Sequence, residues 1–158
     1  MLASDIKLTN DWTPIGTSSV HFRGTFDGGG KTISGMKITA DNHGALFAYV
    51  GSGATIKNVN LTDIDVTAAS YLAGLVAEAN AGTGSVTVSN CHVNGKLYDN
   101  HYKYDEGYLA GIVGYANAEK GNITISDCTT NGNFNCTFKS GGIVGYGKGN
   151  SRSLKLLN

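Results

Sequence analysis

The chain has 158 residues, enough for one domain of ordinary size, and its 12 lysines and arginines balance 12 aspartates and glutamates. This balance argues against a nucleic-acid partner, which needs a basic surface, and no apolar run reaches the roughly 18 residues of a membrane span. With 23 glycines and one proline, the composition favours tight corners between short strands over a disordered linker. The three cysteines lack Cys-x-x-Cys spacing, so we predict no metal site and no cofactor.

The N-terminal third predicts an irregular first turn of the fold. Residues 5–8 and 22–26 have the composition of strands, and residues 12–16 that of a turn. Three glycines at positions 28–30 then predict a turn that leads to Thr32 and Ile33. A phosphate-binding loop is not indicated, because no Gly-Lys-Ser/Thr sequence and no helical pattern follow these glycines.

The rest of the chain is organised around a glycine-led apolar segment that occurs four times, beginning at Gly44, Gly74, Gly111 and Gly142. The spacings are 30, 37 and 31 residues, and residues 74–95 match residues 111–132 at 11 of 22 positions. Repeats of this length are typical of solenoids, propellers and arrays.

Four further segments align with one another, beginning at Ile33, Ile56, Val88 and Ile125. Apolar residues occupy positions 1, 4 and usually 6, whereas a flat strand would place them at 1, 3 and 5. Position 3 is Gly or Asn/Asp (Gly35, Asn58, Asn90 and Asp127), types that tolerate a left-handed backbone, so we predict a corner there. The predicted rows of stacked side chains are Ile33, Ile56, Val88 and Ile125; Met36, Val59, Cys91 and Cys128; Ile38, Leu61, Val93 and Thr130; and Leu46, Leu75, Ile112 and Ile143.

These rows predict an all-β fold, a parallel β-helix (solenoid) of about four to five coils stacked ~4.8 Å apart. A β-propeller is the alternative, although its repeats are usually longer and antiparallel. We expect one domain over residues 1–150 and an irregular tail over residues 151–158. We also expect the chain to be a piece of a longer protein, with Leu154, Leu156 and Leu157 either folding over the last coil or pairing between molecules.

One loop departs from the repeat, because Val88 to Gly111 spans 23 residues and Ile125 to Gly142 only 17. Its tyrosines and acidic residues suit contact with a sugar or a protein. The predicted binding residues are Tyr98, His101, Tyr102, Tyr104, Asp105 and Tyr108. The alternative is a surface loop whose tyrosines pack on the coil below, and we predict no catalytic residue in it.

Three other groups of residues have a structural and a chemical interpretation. Asp99, Asp105 and Glu106 could ligate calcium, but the spacing of a helix–loop–helix site is missing. Asp63 and Asp65 alternate along a strand and are either a solvated face or a carboxylate pair of the glycosidase type. Cys91 and Cys128 are predicted to be buried in a ladder, with a disulfide between coils as the alternative.

The opening of the chain resembles that of bacterial GLUG-motif proteins. The resemblance lies in Trp-Thr-Pro-Ile-Gly at residues 12–16, in Phe-Asp-Gly-Gly-Gly-Lys-Thr-Ile-Ser-Gly-Met at residues 26–36, and in the Gly-Ile-Val-Gly strands at 111–114 and 142–145. In the first two repeats Ala48 and Ala77 replace the last glycine. The resemblance implies a right-handed parallel β-helix outside the cytoplasm, as in the N-terminal regions of immunoglobulin A1-specific metallopeptidases. It implies no catalytic residues, and the zinc motif His-Glu-x-x-His of those peptidases is absent.

Two classes of function follow as hypotheses. The first is a non-catalytic module of a bacterial cell-surface or secreted protein, an adhesin or display scaffold that binds a host glycan or protein and can associate end to end. The second is the substrate-recognition part of a secreted metallopeptidase, or a carbohydrate-active β-helix enzyme. The second class requires converging acids, lysine or histidine, and the sequence has no such group at a recognisable spacing.

Overall fold

The computed structural model describes residues 1–100, 107–136, 139–150 and 153–157. Within these residues the protein is all-β, without helices, and every pairing between strands is parallel. The strands are β1 (Ile6–Lys7), β2 (Thr25–Asp27), β3 (Thr32–Ser34), β4 (Lys37–Ala40), β5 (His43–Gly44), β6 (Phe47–Gly51), β7 (Thr55–Ala68), β8 (Tyr71–Ala73), β9 (Val76–Asn80), β10 (Ser85–Asp99), β11 (Tyr108–Ala110), β12 (Val113–Asn117), β13 (Asn122–Ser126), β14 (Thr129–Asn135), β15 (Lys139–Gly141), β16 (Val144–Lys148) and β17 (Leu154–Leu157).

The strands form three parallel sheets that the chain visits in a fixed order. The large sheet has the order β1-β3-β7-β10-β13-β17, with β2 and β4 also on β7 and β14 also on β10. The second sheet is β5-β8-β11-β15, and the third is β6-β9-β12-β16. From β4 onward the chain passes from the large sheet to the second, then to the third, and returns to the large sheet. We call one such passage a circuit, count β2 to β6 as the first circuit, and count β13 to β17 as the last.

The register confirms the repeat spacing in the later circuits. Val76 pairs with Val113 and Ser85 with Asn122, both 37 residues apart. Val113 pairs with Val144 and Ile123 with Leu154, both 31 residues apart. Neighbouring circuits therefore place equivalent residues side by side, about one strand spacing apart.

Most of the predicted rows are present and form the core. Val88 lies between Ile56 and Ile125, Cys91 pairs with Val59, and Val93 lies between Leu61 and Thr130. Apart from Thr130, which is half-buried, these side chains are buried, and with Leu46, Leu75 and Ile112 of the glycine-led segments they belong to one apolar cluster. The predicted rows of stacked side chains are therefore confirmed for these circuits.

The first circuit corrects the predicted alignment. Ile33 pairs with Leu61 and Ile38 with Val66, whereas Phe26 occupies the place beside Ile56. Met36 precedes Lys37, the partner of Asp65, and therefore lies beside Ile64 rather than Val59. The reason is a glycine corner: a side chain at Gly28 would come within 2.2 Å of the Asn58 carbonyl oxygen. Glycines 28–30 thus form the corner that a single residue forms in later circuits, and Ile33 lies in the strand that follows this corner.

The corners are built by residues with left-handed backbone, as predicted. Asn58, Asn90 and Asp127 have φ of 56°, 49° and 53°. The side chains of Asn90, Asn58 and Asp27 form a polar ladder, since Asn90 Nδ2 donates to Asn58 Oδ1 at 2.9 Å and Asn58 Nδ2 donates to Asp27 Oδ1 at 3.0 Å. Asparagine is favoured because it tolerates positive φ and its amide can both donate and accept.

The two ends of the described chain differ. At the start, Leu2, Leu8 and Trp12 pack against the core, and Trp12 Nε1 donates to the Leu46 carbonyl at 3.1 Å. At the end, the tail expected to be irregular contains β17, in which Leu154 pairs with Ile123 and Leu156 with Ile125. Leucines alternating with Lys155 continue the inward and outward pattern of β13, which accounts for the strand.

Candidate functional site

The predicted binding residues are divided by the structure. Tyr98 lies near the end of β10 and is 52% exposed, whereas Tyr108 begins β11 and is 5% exposed. His101, Tyr102, Tyr104 and Asp105 lie outside the described residues. The backbone is anchored on both sides of them: Asn100 N–H donates to the Ala68 carbonyl at 3.2 Å, and Tyr108 N–H donates to the Ser70 carbonyl at 2.7 Å. The insertion therefore leaves and re-enters the fold at defined points.

Tyr108 belongs to an aromatic row that joins the second and third sheets. In the second sheet, register places four residues side by side: His43, Tyr71, Tyr108 and Lys139. In the third sheet, the matching residues are Tyr49, Glu78, Tyr115 and Tyr146. We call these eight residues the aromatic row. Contacting rings in the row have centroids between 4.2 and 5.8 Å apart, within or just below the range of about 4.5–7 Å for favourable aromatic pairs.

His43 occupies the early part of the row and makes polar as well as stacking contacts. Its ring lies 4.2 Å from that of Tyr49 and 4.3 Å from that of Tyr71. Its Nε2 is 3.3 Å from Glu78 Oε2, and the Tyr49 hydroxyl is 3.3 Å from its Nδ1. A histidine held in this way links two sheets and two circuits through one side chain.

The phenols of Tyr49 and Tyr115 are held in the neutral form. Burial raises the pKa of Tyr49, and the Glu78 carboxylate raises it further. Burial also raises the pKa of Tyr115, an effect that nearby Lys148 partly opposes. Raising the pKa of a phenol that already titrates near 10 makes it a poorer general base at neutral pH. The Tyr49 hydroxyl therefore serves as a hydrogen-bonding group, in contact with His43.

The rings of the aromatic row pack against one another. Tyr108 contacts Tyr71, Tyr115 and Tyr146, and the Lys139 ammonium lies 5.2 Å from the Tyr108 centroid and 4.7 Å from that of Tyr146. Such contacts stabilise a fold by about 0.5–1.5 kcal/mol per aromatic pair. Contacts within the aromatic row thus stabilise the stacked circuits, and Tyr108 packs against the neighbouring circuits.

The aromatic row is not among the predictions from the sequence, although the sequence carries a signal for it. Tyr115 and Tyr146 both follow the first glycine of their repeats by four residues, as does Glu78. Tyr71 and Tyr108 both precede that glycine by three. Tyr108 is predicted only as part of the loop, and the tyrosines that recur with the repeat do not enter that prediction.

The cysteines are free thiols, with Cys91 and Cys128 buried as predicted. Each Sγ donates to the carbonyl two residues earlier: Cys91 to Ser89 at 3.2 Å and Cys128 to Ser126 at 3.1 Å. The neighbouring Cys128 thiol and burial both raise the pKa of Cys91, so Cys91 stays protonated at neutral pH. A protonated buried thiol is a poor nucleophile and packs as a small apolar group.

Asp63 and Asp65 are both exposed, at a bend of the large sheet. Asp63 has left-handed backbone with φ of 52°, and Asp65 pairs in register with Lys37 on one side and Lys96 on the other. Together these residues border a groove, which is considered further below.

Neither a metal centre nor a membrane helix was found in the described part of the chain. No group of three or more His, Cys, Asp and Glu side chains there could hold a metal ion. None of the described residues form a helix long and apolar enough to cross a membrane. Asp105 and Glu106, of the calcium alternative, lie outside the described residues. Comparisons with protein-family models, curated proteins and solved structures found no match to this chain.

Proposed function

We propose that the three sheets wind into a right-handed parallel β-helix of about four to five coils. Support comes from the repeated order of sheets and from registers that bring residues 31 or 37 apart into contact. Parallel crossovers between strands of one sheet are right-handed in about 98% of cases, which supports the hand of the winding. A stack with an apolar core and a lateral aromatic row is a stiff body.

We further propose that the chain is a non-catalytic module of a bacterial cell-surface or secreted protein, acting as an adhesin or display scaffold. The supporting observation is the insertion between β10 and β11, which is anchored on both sides while the circuits above and below keep their register. Insertions into repeat proteins often form the binding face. The resemblance to GLUG-motif proteins supports the extracellular location.

The proposed partner of the insertion is a host glycan or protein. Exposed Tyr98 and the loop residues Tyr102 and Tyr104 would supply flat, amphipathic surface at low conformational cost. Single loops of this kind bind modestly, and several copies on a surface would raise the avidity.

The test is adhesion of a non-adherent bacterium that displays the chain on its surface. We expect it to attach to wells coated with mucin or extracellular matrix, and the Tyr102→Ala/Tyr104→Ala variant to attach several-fold less at equal surface expression. The matched control is Tyr115→Phe, which changes a tyrosine outside the loop and keeps its ring. Equal attachment of all three strains would remove the loop as the binding element, and attachment no greater than that of the empty strain would overturn the adhesive role.

A further inference from the structure

The bend of the large sheet forms a groove that runs along the stack of circuits. Its volume is about 440 Å³, and its polar lining consists of Lys37, Asp63, Asp65, Asn94, Lys96 and Asn133. These residues come from four successive circuits, so the groove spans about three strand spacings, or ~14 Å.

The groove exists because the backbone bends where large side chains are missing. A side chain at Gly95 would come within 2.4 Å of the Ile64 carbonyl oxygen, and one at Gly132 would meet the Gly95 backbone. The register also shifts between Val93 and Gly95, where β10 has one residue fewer than β7. Bulges of this kind often lie beside functional sites, because they re-aim the neighbouring side chains.

The charged side chains of the groove are not paired with one another. Register alternates Lys37, Asp65 and Lys96, yet none of these three residues, nor Asp63, forms an ion pair in the part of the chain that the structure describes. All four are exposed. Ammonium groups that donate and carboxylates that accept are therefore both available to a ligand.

We propose that this groove binds a short, uncharged oligosaccharide lying along the stack. Sugar hydroxyls both donate and accept, so one chain can satisfy ammonium and carboxylate groups that alternate at about one strand spacing. The two lysines and two aspartates sum to zero charge, which favours a neutral ligand over sulfated or sialylated glycans. Asn94 also borders a second hollow of about 290 Å³, lined by Asn60, His92 and Thr129 among others, which extends the polar surface.

A peptide is the less suitable occupant of the groove. Peptide recognition usually needs an unpaired strand edge or a pocket for an apolar anchor. The strands in the middle of the groove, β7 and β10, are paired on both sides, and the edge of β14 that is unpaired among the described strands lies at its end. Among the described lining residues, Ile64 is the one large apolar side chain. The described groove residues belong to β4, β7, β10 and β14 and not to the segment between β10 and β11, so glycan binding here does not depend on the display role.

The test is a glycan array, followed by titration of the best neutral oligosaccharide monitored by amide chemical shifts. We expect binding to neutral glycans, with the largest shifts at Gly95 and Gly132, and at least about tenfold weaker binding by Asp65→Ala/Lys96→Ala. The control is Glu119→Ala/Lys148→Ala, which removes a surface ion pair elsewhere and leaves the net charge equally unchanged. Thermal unfolding verifies that both variants are folded.

Each contrary result would overturn the proposal. These results are no binding to any neutral glycan, preference for anionic glycans, binding of peptides alone, or equal affinity of the groove variant and the control. The variant Tyr102→Ala/Tyr104→Ala separates this site from the insertion, because it should leave the shifts at Gly95 and Gly132 unchanged.

Discussion

The first and last circuits end the stack of sheets in different ways. The first is covered by residues that break the repeat, with Leu2, Leu8 and Trp12 packed on the core. The last keeps the repeat, and within the described chain β14, β15, β16 and β17 each pair on one side only. Half of the Leu156 surface remains exposed. Covering an end of parallel sheets thus requires irregular sequence, whereas regular sequence leaves an edge that can pair again.

The two ends are expected to differ most in the free energy of unfolding that is lost when a side chain of their shared core row is truncated to alanine. Phe47 and Val144 occupy the same row, but Phe47 is fully buried against Phe22 and Phe26, whereas Val144 is half-buried. We expect Phe47→Ala to lower the free energy of unfolding by about 3–5 kcal/mol and Val144→Ala by about 1 kcal/mol. Urea denaturation measures both, and equal losses would contradict a more tightly packed first circuit.

The cover of the first circuit is tested at Trp12. The variant Trp12→Ala loses a half-buried ring and the hydrogen bond to Leu46, and we expect a loss of about 2–3 kcal/mol in the free energy of unfolding. Trp12→Phe keeps most of the ring and should lose about 1 kcal/mol. At the other end, Leu156→Ala should change stability by no more than about 0.5 kcal/mol. A larger loss of stability in Leu156→Ala than in Trp12→Ala, measured by thermal or urea unfolding, would refute the comparison.

The open edge of the last circuit is tested by self-association. Lys155 and Thr25 occupy equivalent register positions at opposite ends of the large sheet. Lys155 lies in β17, in the last circuit, and Thr25 lies in β2, which pairs with β7. Lysine on an exposed edge strand opposes pairing with another chain. We expect Lys155→Val to lower the dimer dissociation constant several-fold in sedimentation velocity, and Thr25→Val to have no effect. Association promoted by Thr25→Val instead would place the reactive edge at the first circuit.

The smallest effects concern pH, and they have opposite signs at the two ends. Hydrogen bonds from Asn58 and Gly29, with help from Lys57, lower the pKa of Asp27 below its ordinary value of 3.8. The Asp27 carboxyl therefore binds its proton less tightly in the folded than in the unfolded state. Its ionised form stabilises the fold above the ordinary pKa, and this stabilisation is lost as pH falls through the lowered pKa. The Glu119 carboxylate raises the pKa of Lys148 above its ordinary value of 10.5, so this contribution is present below that pH and is lost as pH rises.

Melting temperatures across the acidic and alkaline ranges measure these two contributions. Asp27→Asn should flatten the acid-side decline, and Glu119→Gln should flatten the alkaline one. Asp27 is half-buried at the surface and Lys148 is exposed, so solvent screens both charges and the changes will be small. An unchanged acid-side slope in Asp27→Asn would show that the corner carboxylate does not contribute.

The same contrast explains how much of the fold could be predicted. In the later circuits, Ile56, Val88 and Ile125 recur with the same neighbours, so the alignment of sequence segments was also the alignment of strands. In the first circuit, three glycines replace one corner residue, and the alignment of Ile33 with Ile56 failed because sequence similarity does not record which residue passes the corner.

The candidate sites were harder to predict because they depend on register between unlike residues. Lys37, Asp65 and Lys96 are brought together by offsets of 28 and 31 residues, and because they differ in residue type no recurring sequence pattern aligns them. The aromatic row joins residues of two sheets, which the pattern of either sheet alone does not reveal. Outward residues that align across strands can be identified only when the register of the strands is known.

The central claim is the register of the stacked circuits, and methyl nuclear Overhauser effects on isoleucine-, leucine- and valine-labelled protein test it most directly. The account predicts cross-peaks between Ile56 and Val88, between Val88 and Ile125, and between Ile33 and Leu61. A cross-peak between Ile33 and Ile56 without one between Ile33 and Leu61 would restore the alignment from sequence alone. No cross-peaks between Val88 and either isoleucine would contradict the stacking of circuits altogether.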